Sequence, residues 1–338
     1  MRIVLISDAW HPQVNGIVTT LTNTCKALRE LGHTVKLIDT SPFRTWPCPG
    51  YADVRLAFLC GPKLRPIIEA FEPDALHIAT EGAVGYAARR YCRYKDYDYS
   101  TSFHSRYPDY LNLRIGFPRS VSNAYLWWFH RKSSRVMVAT ESLQKELESN
   151  GYQRLVRWSR GVDTDLFCPR SEEFIQDEGP IFMYTGRIAL EKNVEAFLKL
   201  KLPGTKYVVG DGPQRREFEN RYTEVRFVGY QSGQSLARYM AAADVFVFPS
   251  HTDTFGLVVL EALASGVPVA AYPVQGPGDL IDDPAVGILD NDLRRAALRC
   301  LELKADDCRR YALRFSWENC ARQFVSNLTI LDKGRNIW

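Results

Sequence analysis

Arg187 and Lys192 lie five residues apart in "YTGRIALEKN", directly after the apolar run "IFMY". A planar guanidinium and a point-charge ammonium at a strand-to-helix turn suit two phosphates, because the backbone N–H groups of the turn add to the same field. Fixed cations of this kind act most strongly where negative charge develops on a departing diphosphate. Asp253 and Glu261 form a second pair, in "TDTFGLVVLEALASGVPV". With period 3.6, Leu257, Leu260, Glu261 and Ala264 share one helical face, with Thr252 or Thr254 as cap, so Glu261 points inward. A buried carboxylate needs a partner: a structural arginine, a backbone amide, or the hydroxyls of a ligand.

Other candidates are weaker alone. His104 in "STSFHSRYPDYL" stands just past a strand, placed either to meet a sugar hydroxyl or a reacting centre, or to be an ordinary structural histidine. Gly210 in "VVGDGP" and Val228 in "RFVGY" end strands whose backbone a flat base can approach. Gly16 in "SDAWHPQVNGIVTTL" opens a helix whose N-terminus favours an anion. "GDGPQR" carries Arg215 where a dinucleotide fingerprint needs its third glycine, and there is no HExxH, GxSxG or GxxxxGK[ST]. "DTD" at Asp163–Asp165 looks like a metal-binding acid pair, but its position favours capping a turn.

The elements that must hold these residues alternate in the manner of parallel α/β sheets. "RIVLIS", "TVKLID", "ALHIA", "YSTSF" and "VMVAT" are the expected strands of the first half; "IFMYTG", "KYVVG", "VRFVG", "VFVFPS" and "VPVAAY" those of the second. The polar, proline-flanked stretch 168–180 reads as a linker. The expectation is therefore two Rossmann-like domains, 1–167 and 181–315, with parallel sheets facing a cleft, and a final amphipathic helix in 316–338 packing across them.

The 338 residues are 46% hydrophobic and 24% charged, with a net charge of +4, which suits a globular protein of about two domains and leaves little room for disorder. Eight cysteines without a CxxC motif argue against a zinc site or disulfide framework and for a reduced, cytoplasmic compartment. The apolar run after Met1 is too short for a signal peptide or a membrane span. No acid occurs between Asp109 and Glu141, a window holding Arg114, Arg119, Arg131 and Lys132 around Trp127 and Trp128. Cations beside tryptophans suit a surface resting on anionic lipid headgroups, while a core helix with solvated ends is the plainer alternative. The confined basic window and α/β pattern give no element for reading nucleic acid.

Taken together, "DAWHPQVNGIVTTL", "LHIATEGAVGYAARR", "TSFHSRYPDYL", "RGVDTDLF", "GRIALEKN", "VVGDGP" and "TDTFGLVVLEALASGVPVAA" resemble, in order, glycosyltransferase family 4, retaining enzymes of the GT-B fold. "HIATEG", "TSFH" and "TDTFG" are most similar to the branch of lipid-linked mannosyltransferases and sulfoquinovosyl and glucosyl diacylglycerol synthases. The resemblance implies a retaining hexosyltransferase using a nucleotide-sugar donor, without a metal or other cofactor, peripheral on the cytoplasmic face of a membrane with a lipid acceptor. It implies that Arg187 and Lys192 bind the diphosphate, that Glu261 holds the ribose hydroxyls, and that His104 contacts the donor sugar. Asp253 takes the place of the first glutamate of the family's E-x7-E motif, one methylene shorter. Phe255, Gly256 and Leu257, with Gly16 from the other domain, would offer backbone amides near the donor. A transferase acting on a soluble sugar, or a nucleotide-sugar binder without catalysis, are the alternatives.

Overall fold

The computed structural model describes all residues except 14, 49–50, 105–107, 109–111, 113–115, 172–173, 178 and 333–338, and the side chains of 51–54. The chain forms two compact units: Met1–Arg160 together with Trp317–Trp338, and Gly161–Ser316.

In the first unit, β1 (Arg2–Ile6) and β2 (Thr34–Ile38) are followed by an antiparallel hairpin, β3 (Arg44–Cys48) and β4 (Tyr51–Phe58), then by β5 (Ala75–Ile78), β6 (Ser100–Phe103), β7 (Arg135–Val138) and β8 (Leu155–Arg157). The six strands outside the hairpin make a parallel sheet in the order β2-β1-β5-β6-β7-β8. Ile3, Val4, Leu5 and Ile6 are all fully buried, as a strand covered on both faces requires. Alternation sends Ile3 and Leu5 into one core with Leu21, Trp158 and Phe324, and Val4 and Ile6 into another with Ile78, Tyr99 and Phe129. The helix Gly16–Glu30 turns Val18, Leu21, Cys25 and Leu28 inward and is capped by Asn15.

In the second unit, β9 (Ile181–Thr185), β10 (Thr205–Val209), β11 (Arg226–Gly229), β12 (Val245–Phe248), β13 (Val269–Ala271) and β14 (Gly287–Leu289) form a parallel sheet ordered β11-β10-β9-β12-β13-β14. Phe182, Tyr184, Val208, Val245 and Val247 lie in its core. In each sheet the first strand sits inside: the chain builds outward on one side of it, then crosses to the other. The carboxyl ends of β1 and β5, and of β9 and β12, are thus switch points, where α/β sheets leave a crevice for ligands.

Two boundaries differ from the sequence-based expectation. The chain enters the second unit at Gly161 rather than at 168–180, since Val162 N donates to Phe315 O (3.1 Å) and the Arg309 guanidinium donates to Phe167 O, Ala264 O and Thr164 O at 2.8–2.9 Å. The final helix, Trp317–Ser326, belongs to the first unit: Phe324 packs 4.9 Å from the Trp158 ring, and Leu331 N donates to Asp74 O.

Candidate functional site

The switch point of the second unit gathers most of the expected residues. Arg187 stands two residues past β9, and the Tyr184 hydroxyl donates to its carbonyl (2.8 Å). The loop continues through a 3-10 turn, Leu190–Lys192, into the five-residue helix Val194–Leu198. So short a helix has a weak dipole, so the positive potential here comes from the side chains rather than from the helix terminus. Lys192 Nζ meets Asp253 Oδ1 at 2.5 Å, with the two side chains 25% and 15% exposed. Three further bonds tie the loop after β9 to the loop after β12: Asn193 Nδ2 to Pro249 O (3.0 Å), Thr252 Oγ1 to Glu191 O (3.1 Å) and Ser250 Oγ to Glu191 O (3.4 Å). Asp253 Oδ2 is buried and accepts no hydrogen bond among the described residues, a costly condition unless a ligand supplies a donor.

The helix Leu257–Ala264 carries Glu261 as expected, but neither threonine caps it. Gly256, at φ +90°, takes the N-cap position, and Thr252 spends its hydroxyl on Glu191 O. The Glu261 carboxylate keeps some surface, yet the dense protein around it pushes its pKa up to about 7 by desolvation. It makes no hydrogen bond or ion pair among the described residues, whereas the apolar Val259, Leu260, Ala262 and Leu263 around it in sequence are fully buried. Among the described residues, neither an arginine nor a backbone amide is its partner. Phe255 is buried, and Gly256 and Leu257 are half-buried at the same helix start.

The glycines after β10 answer to a different demand from the one expected. A Cβ on Gly210 would stand 1.9 Å from Gly186 O, and one on Gly212 2.3 Å from Ile188 O. Their bareness brings the loop after β10 against the loop carrying Arg187, with Gly186 N to Val209 O and Ile188 N to Asp211 O as the ties. Val228 is half-buried in β11, whose Gly229 O accepts from Gly210 N (2.8 Å). Gly276, at φ +87°, has its Cβ position 2.7 Å from Asp253 O and braces the same loop. Sequence reasoning passed over it, although the "GPG" turn was a signal.

In the first unit, His104 is enclosed beyond β6. Arg160 Nη2 donates to its Nδ1 (3.2 Å), which leaves the ring hydrogen on Nε2, and Trp158 meets it edge-on at 5.5 Å. Burial first, then the Arg160 charge, holds its pKa well below the ordinary histidine value, so it is a neutral donor. Arg160 was missed because its partner lies 56 positions away; it also donates to Trp158 O (2.6 Å) and lies over the Trp158 ring. Gly16 is exposed at the first turn of its helix, where Asn15 Oδ1 already accepts from Ile17 N and Val18 N (3.0 Å each). Asp163 Oδ1 accepts from Asp165 N and Leu166 N, so the acid pair does cap a turn.

The basic aromatic window is split. On the helix Arg119–His130, Trp127 is 40% exposed with the Arg131 guanidinium 5.0 Å from its ring centroid, and Arg119, Arg131 and Lys132 are exposed. Trp128 is instead committed to packing, under the Arg89 guanidinium at 3.7 Å and stacked on Tyr86 and Tyr125. Arg114 lies outside the described residues. Among the described residues no helix is long and apolar enough to cross a membrane.

Residues 14–166 match the family model described as Glycosyltransferase Family 4, and residues 179–306 match that of Glycosyl transferases group 1. The chain is similar to a GDP-mannose-dependent alpha-mannosyltransferase of Mycobacterium tuberculosis, with 29% identity over 86% of this chain and 83% of the relative. It is 30% identical to the sulfoquinovosyl transferase SQD2 of Arabidopsis thaliana over 81% of this chain and 60% of the relative. To the alpha-monoglucosyldiacylglycerol synthase of Streptococcus pneumoniae it is 27% identical over 89% of this chain and 78% of the relative. Among solved structures, the sucrose-phosphate synthase of Thermosynechococcus elongatus shares the fold, with a TM-score of 0.81 at 20% identity over 96% and 97% of the two chains. The architecture is GT-B.

Proposed function

Since this chain belongs to glycosyltransferase family 4 and uses a nucleotide sugar, we propose that it moves a hexosyl group to a membrane lipid with retention of configuration. One observation carries the reading of the donor side: at the switch point of the second unit stand a buried oxygen, Asp253 Oδ2, and a carboxylate, Glu261, that have no hydrogen-bond partner among the described residues. In this reading Glu261 accepts the ribose hydroxyls and Asp253 a hydroxyl of the donor sugar, while Lys192, already beside Asp253, and Arg187 take the diphosphate. The Gly256–Leu257 backbone contributes donors around the same ligand.

The chemistry follows from what these groups hold. The C1–O bond to the diphosphate lengthens as Arg187 and Lys192 stabilise the departing charge. The acceptor hydroxyl adds to C1 on the same face, and its proton passes to the departing phosphate oxygen, so nucleoside diphosphate leaves and the configuration is kept. No metal is needed, because the two cations supply the countercharge.

The lipid acceptor is supported by the similarity to the alpha-monoglucosyldiacylglycerol synthase and by the acid-free helix with exposed Trp127, Arg119, Arg131 and Lys132, suited to the cytoplasmic face of an anionic bilayer. UDP-glucose, UDP-galactose, UDP-glucuronate and GDP-mannose, offered one at a time with anionic vesicles containing diacylglycerol, test it by mass spectrometry. A glycolipid from one donor is expected; glycosylation only of a soluble acceptor overturns the lipid assignment.

A further inference from the structure

The antiparallel β3–β4 hairpin stands outside the parallel sheet of the first unit, and the donor chemistry makes no use of it. Its register pairs Thr45 with Ala57 on one face, and Arg44 with Phe58 and Trp46 with Leu56 on the other. The first face packs inward, where Ala57 is buried in one core with Phe43, Cys60 and Leu64. The second is turned to solvent.

Its composition is the reverse of what solvent favours. Trp46 is 69% exposed, Leu56 49% and Phe58 42%, with Arg44 exposed beside them. An antiparallel ribbon covered on one side ordinarily turns apolar residues inward and polar residues outward. Here the small Ala57 and the polar Thr45 lie inward, while the large apolar groups lie outward, each at least as open to water as Trp127 at 40%. Two opposed pairs with three large apolar members form a contiguous patch, and such a patch marks a surface that is covered in use.

Charge and backbone chemistry narrow what covers it. From Thr40 to Leu64 the chain carries three cations, Arg44, Arg55 and Lys63, against one acid, Asp53. Arg55 donates to Thr45 Oγ1 (3.0 Å) and Lys63 to Pro42 O (3.2 Å), neutral oxygens that leave both charges in place. Arg44 has no hydrogen-bond or ion-pair partner among the described residues. Two such faces repel each other, which argues against a second copy of the chain, whereas an anionic surface is attracted. Pro47 takes a backbone donor away from β3, so the ribbon is a poor template for a strand from another protein, and its face rather than its edge is on offer. An indole, a phenyl ring and a guanidinium on one face suit the boundary between the headgroups and acyl chains of an anionic bilayer.

We propose that this outer face docks the protein on an anionic bilayer: Trp46, Leu56 and Phe58 enter the boundary region, and Arg44 rests on lipid phosphates. The contact gives the membrane reading above a second foothold besides Trp127, and it rests on that reading.

Vesicles of phosphatidylcholine with phosphatidylglycerol, prepared with and without bromine in the acyl chains, test the docking with the full chain. Bromine should quench a share of the tryptophan emission, and Trp46→Phe should lose part of that share while still binding. The double variant Trp46→Thr with Phe58→Thr leaves the inward face untouched and keeps residues suited to strands, so its thermal unfolding stays that of the wild type. Its partition onto the vesicles should fall on the order of tenfold. Undiminished partition of the double variant, or equal bromine quenching in wild type and Trp46→Phe, overturns the inference and leaves the membrane reading standing. No partition of the wild type overturns both, and sedimentation of a dimer that the double variant loses then assigns the face to a second copy.

Discussion

Glu261 makes the sharpest prediction, because its burial has a measurable consequence whether or not a donor is present. A carboxyl held near pKa 7 in the folded protein, against an ordinary 4.5, binds its proton more tightly folded than unfolded. Stability is therefore highest below about pH 4.5, falls as pH rises, and bears the full penalty above about 7; the difference comes to about 3 kcal/mol. Glu261→Gln removes the titration and should stabilise the second unit by about that amount at pH 8 while changing little at pH 4.5. All seven tryptophans fall in the first unit, so fluorescence would miss the effect; hydrogen exchange of the β9 and β12 amides in urea reads it directly. If ribose hydroxyls are the partner, nucleotide binding must ionise the acid below pH 7, releasing a proton and weakening roughly tenfold per pH unit. Calorimetry in buffers of different ionisation enthalpy detects that proton. Equal exchange protection of Glu261→Gln and wild type at pH 8, or binding without proton release at pH 6, would refute the account.

Arg187→Ala should lower kcat by roughly 10²–10³ with thermal unfolding unchanged, because the guanidinium is needed most when charge develops on the departing diphosphate; near-normal turnover in a steady-state assay contradicts that role. Gly210→Ala places a methyl group 1.9 Å from Gly186 O, and should destabilise the second unit by about 2–3 kcal/mol and raise KM for the donor, as urea unfolding and kinetics would show.

Periodicity made the two sheets legible, since continuous apolar strands such as "RIVLIS" and "VFVFPS" can only be covered on both faces. It failed at β8 and β14, three-residue strands too short to carry a period, and at the β3–β4 hairpin, where Pro47 argues against a strand. The exit at Gly161 was hidden because Arg309, far along the chain, holds the segment that follows it at Thr164 and Phe167. The same distance problem recurs in the site. Residues read from one stretch, such as Asp253 with Glu261, were found, while Arg160 beside His104 and the Lys192–Asp253 pair required the fold.

The most direct test of the central claim is an NMR measurement of the first product formed from a donor labelled with carbon-13 at C1, in anionic bicelles containing diacylglycerol. The account predicts that the labelled carbon appears in the lipid phase with the anomeric configuration it had in the donor. An inverted linkage, or label found only in a soluble glycoside, would contradict it.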